Sequence, residues 1–168
     1  LAAQVHRTKT RLFRASILSG GIVARPGSVE LVRSLVDADI RVAVATTGRR
    51  AWVEPLLSQL LGDDIVEVLV AGDDVTQLKP DPEVYSLALA RLNLSAANAL
   101  AVEDSAIGLR AALAAGLSTI VVTNGYTVGQ DFSGAATVLN SYDGAEPLLA
   151  ERCKDLHAQW WTRRVRRS

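Results

Sequence analysis

Apolar positions along this chain switch repeatedly between two spacings. Val5, Leu12, Phe13, Ile17 and Leu18 fall near a helical period that Gly20-Gly21 ends. Arg25-Pro26-Gly27 is a break, and Ser28 is a candidate cap for a helix through Val29, Leu31, Val32, Leu35 and Val36. Residues 41–45 form a continuous apolar, β-branched run, the pattern of a strand buried on both faces. Residues 50–61 return to the helical period, with Trp52, Val53, Leu56, Leu57 and Leu60 on one side and Gly62 as the stop. A second strand is predicted over 65–71. Asp81-Pro82-Glu83 then starts a helix that reaches about Asn93. Further strands are predicted over 99–102 and 118–123, with a weaker one over 137–140. Helices are predicted over 105–115 and from 145 to about 161.

Strands separated by helices imply βαβ units with right-handed crossovers. The expected fold is therefore α/β, a Rossmann-like parallel sheet with helices on both faces. In such a sheet ligands gather beyond the carboxyl ends of the strands. Three segments fall there: Val42-Ala43-Val44-Ala45-Thr46-Thr47-Gly48, Leu78-Lys79-Pro80-Asp81-Pro82 and Ala101-Val102-Glu103-Asp104-Ser105. Each places polar groups at the end of an apolar run and before a helix.

Composition changes little in this picture. Hydrophobic residues make up 49% and the formal net charge is zero, so bulk charge argues neither for nor against a nucleic-acid partner, and none is expected. A single cysteine, Cys153, excludes an internal disulfide framework and fits a reducing, cytoplasmic setting. No apolar run approaches ~20 residues, so no membrane span is expected. The chain starts at Leu1 and contains no methionine, which points to truncation.

The chemistry of the three segments is compatible with a phosphate. Thr46 supplies a hydroxyl, and the amides of Thr47 and Gly48 are expected to open the next helix, where an anion is favoured. Arg49 and Arg50 add positive charge, and Lys79 is a compact cation for a transferring phosphoryl group. Glu103 and Asp104 are hard oxygen ligands suited to Mg²⁺, which takes one or two carboxylates plus waters and phosphate. Ser105 either caps the following helix or orients those carboxylates. Taken singly, each segment has a plainer explanation. Thr46-Thr47-Gly48 also reads as an ordinary turn, Lys79-Pro80-Asp81-Pro82 as a helix cap, and Glu103-Asp104 as a surface loop. Their shared position at strand ends is what joins them.

Together these segments resemble the haloacid dehalogenase superfamily, and within it the CbbY-like sugar-phosphate phosphatase branch near β-phosphoglucomutase and phosphoglycolate phosphatase. Thr46 matches the second motif of that family, Lys79 the third, and Glu103-Asp104 the fourth. Softer matches are Arg25-Pro26-Gly27, Ala71-Gly72-Asp73-Asp74-Val75, and Tyr126-Thr127 through Asp131-Phe132-Ser133-Gly134-Ala135. The resemblance implies a phosphatase that acts on a small phosphorylated sugar through an aspartyl-phosphate intermediate. It assigns catalysis to Lys79, Thr46 and Asp104. Phosphate binding falls to Thr46, Thr47, Gly48, Arg49, Arg50 and Lys79. Mg²⁺ falls to Asp104 and Glu103, with Asp104 the more direct ligand.

One part of the family pattern is absent from the sequence. The first motif, Asp-x-Asp-Gly-Thr, should lie on a strand that precedes a helical cap. The sole Asp-x-Asp here is Asp37-Ala38-Asp39, between a helix end and a strand start, at the wrong end of the sheet. The resemblance thus implies a chain that lacks the first strand and most of the cap. Residues 1–24 are expected to be a cap remnant, with Lys9 and Arg11 near any substrate. Residues 25–150 form the core, and 151–168 a C-terminal helix with a basic tail. In the family the first strand sits between the strand carrying Thr46 and the strand carrying Glu103. The expectation for the chain by itself is loss of turnover. Two other functions fit the same residues: a non-catalytic phosphate-binding relative, and an interaction module using Trp160-Trp161 and Arg163, Arg164, Arg166 and Arg167. Packed tryptophans followed by a solvated tail also account for that last segment.

Overall fold

The computed structural model describes residues 21–166; the cap remnant predicted over 1–24 lies almost wholly outside them. Helix α1 (Ser28–Asp37) leads to strand β1 (Ala43–Ala45), and α2 (Arg50–Leu61) to β2 (Val68–Val70). Helix α3 (Glu83–Leu92) and a short 3₁₀ turn precede β3 (Leu100–Glu103). Then come α4 (Ala106–Ala114), β4 (Ser118–Val122), β5 (Thr137–Leu139) and the long α5 (Ala150–Val165).

All strand pairs are parallel, as the alternation predicts, but among the described residues the strands form two sheets. β1 pairs with β2, Val44 opposite Leu69. β3, β4 and β5 pair in that order, with Val102 opposite Ile120 and Val121 opposite Val138. β1 and β3 do not pair with each other. This explains one correction to the sequence expectation. β1 is half-buried rather than buried on both faces, because it has a strand neighbour on one side only among the described residues. β4, flanked on both sides, is buried at all five positions.

Side chains alternate across a strand, and β3 shows what that alternation separates. Ala101 joins a cluster with Val70, Val84, Tyr85, Ala88, Ala111 and Ala112, on the side of α3 and α4. Leu100 and Val102 pack instead with Leu31, Ile120, Val122, Leu148 and Cys153, on the side of α1 and α5. Helices therefore cover both faces. Glu103, two residues beyond Ala101, is directed to the α3/α4 side. Arg25 pins the entry to the described fold, donating to the carbonyls of Val122 and Thr123 at 3.0 and 2.6 Å and lying over the Tyr142 ring.

Element ends differ from expectation in ways that capping explains. α1 begins at Ser28 itself, with Gly27 as cap in a left-handed conformation. The Ser28 hydroxyl donates back to the Arg25 carbonyl instead of capping. α3 starts at Glu83, and Asp81 accepts its amide at 2.9 Å, so the acid caps the helix from just outside it. Ser105 caps α4, accepting the Gly108 amide at 3.2 Å. α5 begins at Ala150, five residues later than predicted, and carries Trp160 and Trp161.

Candidate active site

Beyond the carboxyl ends of β1 and β3 lies a cleft of about 440 Å³ lined by Thr46, Thr47, Leu78, Lys79, Glu103, Asp104, Ser105 and Ile107. All three segments singled out in the sequence contribute to it. The parallel register brings them there. Thr46 continues the β1 ladder, its amide donating to the Val70 carbonyl, and Glu103 closes β3.

Lys79 joins the two sheets at this cleft. Its Nζ donates to Glu103 Oε1 at 2.5 Å and to the Ala45 carbonyl at 3.0 Å. It thereby connects the end of β1 with the end of β3. The ammonium also lies 4.7 Å from the centroid of the Tyr85 ring and 3.3 Å from its hydroxyl. Tyr85 itself donates to Glu103 Oε1. Burial, reinforced by the Glu103 charge, pushes the Tyr85 phenol well above its ordinary range, so it stays protonated and acts as a donor. Lys79 and Glu103 are nearly enclosed, with side chains 12% and 7% exposed. A buried charge needs such pairing.

The next residue behaves differently. Asp104 is exposed. Its Oδ2 accepts from Asn124 Nδ2 at 2.9 Å, and Asn124 Oδ1 accepts the Tyr126 amide at 2.8 Å, which fixes the amide orientation. Two adjacent carboxylates, one enclosed and one open, suit a hard cation that keeps waters and a phosphate oxygen among its ligands. Among the described residues no group of three or more His, Cys, Asp or Glu could hold a metal unaided.

The phosphate-binding expectations divide. Thr46 Oγ1 accepts the Gly48 amide at 3.0 Å, which leaves its O–H directed elsewhere. Thr46, Thr47 and Lys79 line the cleft, whereas Gly48, Arg49 and Arg50 do not. Arg50 donates to Asp74 Oδ2 and to the Leu69 carbonyl. The helix starts at Arg50, as the 50–61 period predicts, so the Thr47 and Gly48 amides lie ahead of it, and the Arg50 amide is already taken by Asp73 Oδ1 at 2.9 Å. The protein's own carboxylate thus occupies that helix end. Asp37-Ala38-Asp39 runs from the last residue of α1 into the turn before β1, at the amino end of β1, as expected.

Three contributors were not among the predicted residues: Tyr85, Gly108 and Asn124. Asn124 had a readable signal, since it follows the apolar run of β4 as Thr46 follows β1. Tyr85 had a weaker one, its position on the first turn after Lys79. Gly108 had none, because its role is the absence of a side chain: a methyl there would overlap the Glu103 carboxylate.

The chain is similar in sequence and fold to known proteins. Protein CbbY of Cereibacter sphaeroides is 43% identical over 143 residues, 83% of this chain and 62% of that protein. A phosphoglycolate phosphatase of Cupriavidus necator is 36% identical over 74% of this chain and 54% of its own. The crystal structure of CbbY from Rhodobacter sphaeroides in complex with phosphate has a TM-score of 0.78 and 41% identity over 87% of this chain and 66% of that one. A mutant of that protein with xylulose-1,5-bisphosphate matches equally. The chain therefore spans less than two thirds of the length of these relatives. The haloacid dehalogenase-like hydrolase family matches residues 2–116, and this chain belongs to it.

Proposed function

We propose that the complete protein is a Mg²⁺-dependent phosphatase of a small phosphorylated sugar. The observation that carries this is Lys79, a nearly enclosed ammonium held between the ends of two strands and lining a cleft together with Thr46 and Asp104. A phosphoryl group needs such positioning and charge neutralisation more than it needs covalent help from the protein. Thr46 Oγ donates to a phosphate oxygen, together with the Thr47 amide. Lys79 neutralises charge on the same group, and its contact with Glu103 keeps the ammonium from drifting. Asp104 and Glu103 hold the cation, which supplies charge stabilisation on the phosphate oxygens. The xylulose-1,5-bisphosphate bound by the CbbY mutant supports a sugar bisphosphate or monophosphate as the ligand class.

The aspartyl phosphate expected from the family needs a carboxylate free to attack. Glu103 is committed to Lys79 and Tyr85, and Asp104 is assigned to the cation. The chain by itself is therefore proposed to bind phosphate without turning it over. Calorimetry with inorganic phosphate and Mg²⁺ tests the site: saturable, Mg²⁺-dependent binding that Lys79→Ala abolishes is expected. Absence of binding in the parent chain would overturn the phosphate site. Mg²⁺-dependent hydrolysis of xylulose-1,5-bisphosphate that Lys79→Ala abolishes would overturn the inactivity.

A further inference from the structure

We infer that the Tyr85 hydroxyl is the positioning group of this site: it fixes the rotamer of Glu103 so that one carboxylate oxygen serves Lys79 and the other stays available to a divalent cation. This rests on the phosphatase reading for its metal, and on the contacts of Glu103 for its geometry.

Glu103 sits in a cradle with three walls. Tyr85 and Lys79 both donate to Oε1. Gly108 lies against the carboxylate so closely that no other residue fits there. Oε2 lacks those donors and is 3.3 Å from the Asp104 amide, next to the proposed metal ligand. Lys79 by itself does not determine this division. Its stem is flexible and its ammonium has other acceptors, the Ala45 carbonyl among them. Tyr85 is rigid by comparison. It is 8% exposed, stands on the first turn of α3, and its ring packs with Val70, Val84, Ala88 and Ala101. Its hydroxyl is therefore a fixed point, and as a neutral phenol it donates its one proton to Oε1. Oriented outer partners of this kind commonly govern the affinity of the ligands they hold.

The test compares the chain with Tyr85→Phe, which removes one oxygen and keeps the ring, and with Gly108→Ala, which pushes the same carboxylate from the opposite side and leaves the hydroxyl in place. Two readouts are taken: Mn²⁺ affinity by electron paramagnetic resonance, and crystal structures of both variants. Tyr85→Phe is expected to weaken Mn²⁺ binding about tenfold, with Glu103 Oε1 displaced from its Lys79 contact. Gly108→Ala, which crowds the same carboxylate with the Tyr85 hydroxyl kept, is expected to reproduce that loss. Glu103 unmoved in the Tyr85→Phe crystal, or Mn²⁺ affinity within twofold of the parent, overturns the assignment. A parent chain that binds no Mn²⁺ while Glu103 moves in Tyr85→Phe removes the metal from the phosphatase reading and leaves the positioning role standing.

Discussion

Replacing Lys79 by methionine keeps the length of the side chain and deletes its charge. Glu103 then remains nearly enclosed, 7% exposed, without a cation. Removing one partner of a buried ion pair costs roughly 3–5 kcal/mol. Here the orphaned carboxylate keeps the Tyr85 hydroxyl and the more distant Asp104 amide, which brings the cost to or just below the bottom of that range, about 2–3 kcal/mol. For a chain of this size that lowers the melting temperature by about 5–10 °C. Urea unfolding followed by tryptophan fluorescence reads it directly, since Trp52, Trp160 and Trp161 sit on α2 and α5. The double variant Lys79→Met/Glu103→Gln removes the stranded charge and keeps an acceptor for Tyr85, and it should recover at least half of the loss. Lys79→Met within about 0.5 kcal/mol of the parent, or a double variant no better than the single, would refute an enclosed pair.

Three further outcomes are expected. Gly72→Ala places a methyl against the Thr47 carbonyl oxygen, and should cost about 1–3 kcal/mol in urea titration while weakening phosphate binding through the displaced Thr46-Thr47 loop. Asp74 is held below its ordinary value by the Ala71 amide and by Arg50 and Arg91, so its stabilisation is present above pH ~4 and lost as pH falls through the native value; Asp74→Asn should melt well below the parent at pH 7, and the gap should close as pH falls through that lowered value. Burial pushes the Cys153 thiol from 9.0 up to about 11; the unfolded chain ionises first, so stability should fall by up to ~1.4 kcal/mol per pH unit between those values, and Cys153→Ala should flatten that slope in urea midpoints.

Periodicity located the described elements well, and the rule that polar residues end apolar runs found Thr46, Lys79, Glu103 and Asp104. What it could not find was set by distance in sequence. Arg50 looks like a phosphate ligand beside Thr46, yet Asp74, 24 residues later, claims it. The helix end at Arg50 looks open until Asp73 folds onto it. Tyr85 reads as a core aromatic, and its ring is one; only the fold shows that its oxygen reaches Glu103, 18 positions away. The half-burial of β1 was hidden for the same reason, because a run such as Val42-Ala43-Val44-Ala45 reports its own polarity and not its neighbours.

Lys79 belongs to neither sheet, yet donates to the last carbonyl of β1 and to the side-chain carboxylate of the last residue of β3. Its ammonium is thus a gauge of how the two halves stand relative to each other, and a small sliding of one half redistributes charge at the mouth of the cleft. If the proposed phosphate site is filled, the anion seated there would act as a removable rivet. Linkage then requires that whatever holds the halves in register also raises affinity for the anion, and that the anion in turn stiffens the chain by an amount that grows with the logarithm of its concentration.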